Sequence, residues 1–342
     1  MQVDTVKISL PLKKKFVISK GQADVKTNLL TILNNRYSGE ASGSVAYGPP
    51  IEQLESDIKA GVEVLRHKSE ITISTLEEIN QFKLAPVAKS ALMAMVLNYL
   101  SGESGKYPWE ILELGGPVGI RSSITVSIDN PSAVADAVRK AEFPIVKVKL
   151  GSDNDQEVVE ALADISDKAV RVDANGAWSC EKAEKMIYYL ARAGISVIEQ
   201  PTDVSSISEW PHLKGKVEGV ELIIDEGLNV VADYDRYKDN VDGVNIKMEK
   251  SGGVLEAIKI ARKAREDKKK VMLGCMVESS VGIAQSIYMS SLADYYDLDG
   301  PQLLETDIAS GIKYERETIE VDREIIGGPK LKRDVVEKYI QE

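Results

Sequence analysis

From Arg121 onward, short β-branched segments alternate with amphipathic stretches of roughly a dozen residues, and this alternation constrains the fold more than any other feature. Strands that alternate with helices pair in parallel, because each helix carries the chain back to the same edge of the sheet. Eight strand candidates follow one another, which predicts an α/β fold closed as a (β/α)8 TIM-like barrel. The candidates are Ser123–Ile128, Ile145–Lys149, Ala169–Asp173, Ser196–Glu199, Glu221–Asp225, Gly243–Lys247, Lys270–Met276 and Asp294–Asp299.

The chain before this region has a different texture. We expect a small α+β domain over residues 1–119, the barrel over 120–313, and a C-terminal segment over 314–342 that packs back on the first domain. In the first domain a polar loop rich in Gly and Ser is predicted from Tyr37 to Pro50. Its other candidates are the strands Val3–Leu10, Lys15–Lys20 and Asn28–Asn34 and the helices Ile51–Arg66, Ser74–Phe82 and Pro86–Ser101.

Acidic residues outnumber basic ones, with 54 Asp and Glu against 43 Lys and Arg and a net charge of −11. This balance argues against nucleic acid as the main partner, because phosphate binding needs a positive field. The 2 cysteines cannot build a disulfide framework and indicate a reducing compartment. No apolar run reaches the ~18 residues that span a bilayer, and residues 1–10 lack the layout of a signal peptide. We therefore expect a cytoplasmic protein without a membrane partner.

Ionisable residues stand at the carboxyl ends of successive strand candidates, about one βα unit apart. Five of them, 22 to 26 residues from one to the next, are Lys149, Asp173, Glu199, Asp225 and Lys247. Taken alone, Lys147 and Lys149 read as surface residues, and Asp173 and Asp225 as parts of a turn or a helix cap. Active sites of such barrels are assembled at this face from the ends of different strands. The shared register therefore favours a catalytic site.

Three of these residues suit a hard cation. Asp173, Glu199 and Asp225 end three adjacent strands, so their carboxylates can converge on one ion. Without a cation, three crowded carboxylates would raise one another's pKa values. Three oxygen ligands with positions left for substrate and water suit Mg²⁺.

Lys149 and Lys247 lie on strands four apart in an eight-strand ring, so they face each other across the barrel mouth. Two such bases can remove a proton from one face of a substrate and return it to the other, which inverts a stereocentre. An α-proton beside a carboxylate is very weakly acidic, so the developing enolate needs the charge of the cation. Lys147 shares a strand face with Lys149, and its like charge would lower the pKa of that neighbour.

The motifs at these strand ends resemble those of the enolase superfamily, and within it the muconate lactonising enzyme subgroup. They are KVKLG, RVDANGAW, VIEQP, IIDEG, VNIKMEKSGG, GCMVESSVG and DLDGP, and the resemblance covers nearly the whole chain. It implies an N-terminal capping domain that the C-terminal tail completes. It also implies that Lys149 and Lys247 are the acid/base catalysts and that Lys147 contacts the substrate carboxylate. One Mg²⁺ per subunit would be bound by Asp173, Glu199 and Asp225.

The last motif resembles the Asp-x-Asp sequence of the dipeptide epimerases, where it holds the free α-ammonium group of the substrate. Asp297 and Asp299 match it, and two carboxylates facing a buried cation make physical sense. The similarity further implies that the backbone from Cys275 to Val277 runs alongside the dipeptide. It also implies that Thr125 lies near the substrate carboxylate.

Residues 16–21 resemble the segment that carries an arginine in the L-Ala-D/L-Glu epimerases, and Lys20 stands at that position. A lysine can pair with a glutamyl carboxylate, although without a bidentate fork, and the alternative is a solvent-exposed lysine. The resemblance thus favours L-Ala-L/D-Glu or a related dipeptide with an acidic second residue. The reaction would be 1,1-proton transfer at the α-carbon of that residue.

Other activities on the same scaffold stay open. o-Succinylbenzoate synthase, N-acylamino acid racemase and muconate cycloisomerase resemble this chain in the lysines and metal ligands, but none needs to bind a free α-ammonium group. Mandelate racemase-like and sugar-acid dehydratase relatives use a late histidine base, and neither His67 nor His212 ends a strand candidate. A non-catalytic binding module is the remote alternative, which loss of a base or ligand would mark. The sequence has no clear interface, so a homo-oligomer stays open as well.

Overall fold

The computed structural model describes residues 2–18, 21–43, 48–165, 167–214 and 217–339. The chain begins with a three-stranded antiparallel sheet whose second strand pairs with both others. Helices follow and cover one face of this sheet, and together they form the cap. The elements are β1 (Val3–Ile18), β2 (Gly21–Leu33), β3 (Tyr37–Ala41), α1 (Ile51–Arg66), α2 (Ile73–Asn80), α3 (Pro86–Ser104) and α4 (Pro108–Ile111).

The first strand differs from its prediction. The prediction of two separate strands, Val3–Leu10 and Lys15–Lys20, is wrong, because β1 runs without interruption to Ile18. Its pairing with β2 shifts register between Pro11 and Phe16. Such an irregularity inserts residues without ending the strand, and it spans the lysines that interrupt the alternation in the sequence. Lys20 lies outside the described residues.

The predicted loop from Tyr37 to Pro50 is wrong at its beginning, where β3 lies with all of its residues buried. β3 shows no polar and apolar alternation because α3 packs directly on it. A β-carbon at Gly39 would lie only 2.0 Å from the carbonyl oxygen of Ala91 on α3, so only glycine permits this approach. Tertiary packing rather than local periodicity therefore determines this strand.

Eight parallel strands form the second part of the molecule, in sequence order from first to last. They are β4 (Ile124–Val126), β5 (Ile145–Lys149), β6 (Ala169–Asp173), β7 (Val197–Glu199), β8 (Glu221–Ile224), β9 (Gly243–Ile246), β10 (Lys270–Gly274) and β11 (Tyr295–Asp297). The amide of Ser123 donates to the carbonyl of Tyr296 at 3.1 Å, which nearly closes the ring between its first and last strands. The predicted (β/α)8 barrel is confirmed.

Helices connect the strands and cover the outside of the barrel. In the third of them, Ala183, Met186, Ile187 and Leu190 are buried at helical spacing, while Ser179 caps the N-terminus by accepting from the amide of Lys182. The connecting helices are α5 (Pro131–Lys140), α6 (Asp155–Leu162), α7 (Cys180–Arg192), α8 (Trp210–Lys214), α9 (Val231–Tyr237), α10 (Met248–Ser251), α11 (Val254–Glu266) and α12 (Ser280–Tyr288), and α13 (Gly300–Leu303) follows the last strand.

The C-terminal part contains two antiparallel strand pairs, β12 with β15 and β13 with β14, and a final helix. These elements are β12 (Ala309–Ser310), β13 (Ile312–Glu315), β14 (Thr318–Val321), β15 (Lys330–Leu331) and α14 (Arg333–Tyr339). Val335 and Leu331 join an apolar cluster with Ile8 and Leu10 of the cap. β14 instead bridges to Arg121 beside the first barrel strand. The boundaries of the predicted domains stay predictions. Within the described residues, no helix combines the length and apolar character that crossing a membrane requires.

Candidate active site

The register of the parallel strands brings three carboxylates together at the carboxyl end of the barrel. Asp173 lies opposite Lys149 on one side and Glu199 on the other, and Asp225 directly follows β8. One oxygen from each of Asp173, Glu199 and Asp225 lies within 4.8 Å of the others, and all three residues are buried. An all-oxygen set with this spacing fits Mg²⁺, so these residues can hold the ion that the sequence predicts.

The electrostatics of this triad also favour a bound cation. Burial, and next the negative charge of Asp173, raise the pKa of Glu199 to about 8. Burial would also raise the pKa of Asp173, but Lys147 and Lys149 outweigh it and hold that pKa below its usual range. Glu199 is therefore the member of the triad whose ionised form its surroundings disfavour. A divalent cation would favour that ionised form.

The two predicted bases lie on opposite sides of this triad. Nζ of Lys149 is 2.6 Å from Oδ2 of Asp173, and Nζ of Lys247 is 2.7 Å from Oδ2 of Asp225. Burial lowers the pKa of Lys247, but the charges of Asp225 and Glu199 outweigh it and raise the pKa well above its usual value. Lys149 and Lys247 both line one cavity, from strands four apart in the ring.

Lys147 is the most strongly paired cation of the site. Its Nζ lies 2.7 Å from Oδ2 of Asp297, 2.8 Å from Oε2 of Glu199 and 3.1 Å from Oδ2 of Asp173. Burial alone would lower the pKa of Lys147, but Asp173 and Asp297 more than offset burial and raise it well above 10.5. Lys147 therefore stays charged and links the carboxylate triad to the last strand of the barrel.

Asp297 and Asp299 lie together at the end of β11, as the sequence predicts. Oδ1 of Asp297 accepts from the Ser123 hydroxyl at 2.7 Å, and Oδ2 of Asp299 accepts from the Thr125 amide at 2.6 Å. Burial, and next the charge of Asp297, raise the pKa of Asp299 to about 6. Two buried carboxylates therefore face the cavity with only part of their charge compensated. Thr125 anchors Asp299 through its backbone amide.

Cys275 and Val277 also line the cavity, directly after β10. The thiol of Cys275 lies 4.0 Å from Oδ1 of Asp299, and burial raises its pKa well above the usual value. A neutral thiol of this kind contributes a small apolar surface to the cavity and is not an activated nucleophile. The structure thus brings eleven of the twelve predicted site residues to one region, and the twelfth, Lys20, lies outside the described residues.

Sequence reasoning missed three groups that orient the carboxylates. The side-chain oxygen of Gln200 accepts from the amides of Asp225 and Glu226, at 2.9 and 3.0 Å, and so ties two strand ends together. The amide nitrogen of Asn245 donates to Oε1 of Glu199 at 2.9 Å. Both residues stand inside quoted motifs, one position after Glu199 and two before Lys247, where alternation along a strand would have marked Asn245 as inward-facing.

The third missed group is Lys250, a buried lysine one helical turn after Lys247. Its ammonium group contacts both Oδ1 and the backbone carbonyl of Asp225. Since Lys247 contacts the other oxygen of that carboxylate, Asp225 is held at both oxygens. The signal in the sequence is the i, i+3 spacing of two lysines at the start of a helix.

The cavity has a volume of about 640 Å³, which suits a small-molecule substrate. Residues of the cap, including Phe16, Ile18, Val25 and Ile51, form a largely apolar wall opposite the barrel residues. Lys26 lies on this wall, and burial lowers its pKa. Among the described residues Lys26 has no carboxylate partner. Sequence reasoning missed it because nothing in the local pattern of β2 shows which residues face the barrel.

Comparisons with known proteins show which family the chain belongs to. Residues 131–322 match the family model described as enolase C-terminal domain-like. An L-Ala-D/L-amino acid epimerase from Maribacter sp. is 30% identical over 322 residues, 92% of this chain and 94% of the relative. A hydrophobic dipeptide epimerase from Roseobacter litoralis is 32% identical over 328 residues, 89% of this chain and 92% of the relative.

One solved structure extends the agreement to the whole molecule. A dipeptide epimerase from Cytophaga hutchinsonii, in complex with Mg and the dipeptide D-Ala-L-Val, superimposes with a TM-score of 0.90 at 25% sequence identity. The match covers 98% of this chain and 97% of that one, so cap and barrel correspond together. With the family match over the barrel, the resemblance predicted from the strand-end motifs is confirmed. The chain belongs to the enolase C-terminal domain-like family, in the muconate lactonising enzyme subgroup of the enolase superfamily.

Proposed function

We propose that this chain is a Mg²⁺-dependent dipeptide epimerase that inverts the α-carbon of the second residue of a dipeptide. One observation carries the proposal: Lys149 and Lys247 line the same cavity as Asp297 and Asp299, with the carboxylate triad between the lysines. Epimerisation needs a base on each face of the substrate and a cation for the enolate. The relatives named above, which are epimerases of dipeptides or of L-Ala-D/L-amino acids, support the same reaction class.

In this mechanism the two lysines exchange roles according to the epimer that binds. For one epimer the neutral amine of Lys149 removes the α-proton, and the ammonium group of Lys247 delivers a proton to the opposite face. For the other epimer the roles reverse. Bound Mg²⁺, held by Asp173, Glu199 and Asp225, would supply positive charge for the carboxylate oxygens of the enolate. The roles of these residues are part of the proposal.

Charged groups that line the cavity would orient a dipeptide. We expect Asp297 and Asp299 to bind its α-ammonium group and Lys147 to contact its carboxylate. The backbone from Cys275 to Val277 would run alongside the peptide, and Thr125 would lie near the carboxylate. Since the two ends of the dipeptide carry opposite charges, the substrate would bind in one orientation. Its second α-carbon would then lie between the two lysines.

The side chain of the second residue would meet the cap wall. The sequence favours an acidic residue there because of Lys20, which lies outside the described residues. Lys26 supports the same preference, because it is a partly buried cation on the cavity wall and has no carboxylate partner among the residues that the structure describes. An acidic side chain such as glutamate would pair with Lys26 while its methylene groups pack on Phe16, Ile18 and Val25. We therefore propose L-Ala-L/D-Glu or a related acidic dipeptide as substrate.

The alternatives on this scaffold make a different use of the cavity. An N-acylamino acid racemase, an o-succinylbenzoate synthase or a cycloisomerase would bind no free ammonium group, and the Asp297–Asp299 pair would have no partner in the substrate. A non-catalytic binding module would not need a base on each side of the triad. Homo-oligomer formation and a cytoplasmic location stay predictions.

The test is proton NMR of the purified protein in D₂O with Mg²⁺ and a pooled set of L,L-dipeptides. We expect loss of the α-proton signal of the second residue, fastest for acidic second residues, together with inversion detected by chiral chromatography. A chelator should stop both, and addition of Mg²⁺ should restore them. If no dipeptide exchanges while N-acylamino acids racemise, the proposal is wrong and the acylamino acid alternative takes its place.

A further inference from the structure

A buried carboxylate outside the catalytic cluster joins the cap to the barrel. Glu40 lies on β3 and is only 2% exposed. Within the cap, its Oε1 accepts from the side-chain amide of Asn28 on β2 at 2.7 Å. No other cap side chain among the described residues donates to it. A buried carboxylate is costly unless other donors satisfy it.

Those donors come from the barrel. Oε2 of Glu40 accepts from the amides of Ser279 at 3.2 Å and Gly282 at 3.1 Å, and also from the Ser279 hydroxyl. These groups lie at the N-terminus of α12, where Ser279 is the N-cap and the Gly282 amide also donates to the Ser279 carbonyl at 3.0 Å. In its ionised form, which predominates above pH 7, Glu40 therefore interacts favourably with the positive end of the helix across the junction of the two domains.

Two further hydrogen bonds reinforce this junction. The side chains of Asn28 and Ser42 both donate to the carbonyl oxygen of Val277, each at 3.2 Å. The cap thus holds a continuous barrel segment, residues 277–282, through polar contacts that are all buried. We call Asn28, Glu40 and Ser42 the cap clasp.

The clasp and the barrel segment that it contacts both adjoin the substrate cavity. On the barrel side, Cys275, Met276 and Val277 line the cavity, and on the cap side Gly43, which follows Ser42, lines it too. The clasp therefore joins a cap wall and a barrel wall of the cavity where they meet. A change at this junction would move the backbone that is expected to run along the dipeptide, while Lys149 and Lys247 stay on their own strands.

We propose that Glu40 is a positioning residue for substrate binding, which holds the Cys275–Val277 wall at a set distance from the cap. The inference rests on the proposed function for the identity of the substrate, but the clasp itself does not. Glu40 touches neither substrate nor metal ligands, so its loss should weaken binding more than chemistry.

Glu40→Gln tests this inference, because it keeps the shape of the side chain but turns one acceptor into a donor facing the helix amides. We expect KM for the preferred dipeptide to rise about tenfold or more while kcat changes less than about threefold. Hydrogen–deuterium exchange of residues 275–282 should increase in the free protein. Mg²⁺ affinity should stay unchanged, because the carboxylate triad is not part of the clasp.

Asp307→Asn is the matched control. Asp307 accepts from the amide of Ser280 at 3.1 Å and from its hydroxyl, so it stabilises the same end of α12 without crossing to the cap. We expect this variant to change thermal stability but not KM. An equal rise of KM in both variants would show that Glu40 only caps a helix, and an unchanged KM and exchange rate in folded Glu40→Gln would overturn the proposal.

A second variant covers the case in which Glu40→Gln fails to fold. Ser42→Ala removes one hydrogen bond to Val277 and should raise both KM and exchange of residues 275–282 by a smaller factor, about two- to fivefold. No change in either quantity would contradict the clasp. The exchange measurement also separates the two proposals, since it reports on the clasp even if no dipeptide is turned over.

Discussion

The ammonium group of Lys147 lies 2.7 Å from the carboxylate of Asp297, across 150 residues of sequence. The two residues expected to bind opposite ends of a dipeptide are therefore paired with each other. A dipeptide bound as proposed would exchange partners with this pair, since its carboxylate would replace Asp297 on Lys147 and its ammonium group would replace Lys147 on Asp297. This exchange would keep buried charges paired and so limit the desolvation cost of binding.

Replacing one catalytic lysine should separate proton exchange from inversion. In Lys247→Ala, Lys149 can still remove and return a proton on its own face, so exchange of one epimer with D₂O should continue. Net epimerisation should fall by about 10³-fold, because no group delivers a proton to the opposite face. NMR and chiral chromatography on the same sample measure both quantities. Inversion at the wild-type rate in this variant would refute the two-lysine mechanism.

The aspartate pair should distinguish free from blocked amino groups. Asp299→Asn should raise KM for a dipeptide about 10- to 100-fold, because a charged hydrogen bond to the ammonium group is weakened. The N-acetylated form of the same dipeptide carries no ammonium group, so its KM should be the same in the variant as in the wild type. Steady-state kinetics with the two substrates provides the comparison. An equal rise of KM for both substrates would show that Asp299 does not bind the ammonium group.

Metal binding should release protons near neutral pH. Glu199 has a pKa of about 8 in this structure, so it is largely protonated at pH 7. A bound cation favours the ionised form, and about one proton per ion should leave as Mg²⁺ binds. Titration calorimetry in two buffers of different ionisation enthalpy measures that number. Glu199→Gln should bind Mg²⁺ far more weakly, and identical heats in the two buffers for wild type would contradict the expectation.

Lys26 should set the preference for an acidic side chain. In Lys26→Met the preference for L-Ala-L-Glu over L-Ala-L-Leu should fall about 10- to 100-fold, because the cation on the cavity wall is gone while its aliphatic bulk remains. The measurement is kcat/KM for both dipeptides. Lys59→Met, which alters an exposed lysine on α1, is the control and should leave the ratio unchanged. An unchanged ratio in Lys26→Met would assign specificity to another residue.

Stability should decrease as the pH rises from about 4.5 to about 7. Burial, opposed by hydrogen bonds from Ser279 and Asn28, raises the pKa of Glu40 to about 7 from an ordinary value of 4.5. Between these values the folded state keeps the proton and the unfolded state loses it, so each rise in pH favours unfolding, by up to about 3 kcal/mol in total. Urea unfolding at pH 5 and pH 8 measures the difference. The difference should be smaller in Glu40→Gln, and an equal one would exclude Glu40 as its source.

Much of the barrel site follows from the sequence because it depends on local order along the chain. The carboxyl ends of parallel strands meet at one edge, so residues such as Lys149, Asp173 and Glu199 become neighbours once the alternation is recognised. Asp297 was predictable for the same reason. Each of these residues ends its own strand, and no contact with the cap is needed to find it.

Tertiary structure decided the features that depend on contacts between distant segments. β3 could not be recognised from its polar sequence, because its burial depends on the packing of α3 against it. Lys26 faces the cavity only because the cap sheet packs above the barrel. Glu40 and Ser279 are 239 residues apart, and neither position alone indicates a partner. Periodicity reports how a residue is buried within its own element, whereas the pairing of two elements depends on how their surfaces pack together. The sequence therefore determined the barrel and its catalytic edge, and the packing of the cap decided the cavity wall and the clasp that positions it.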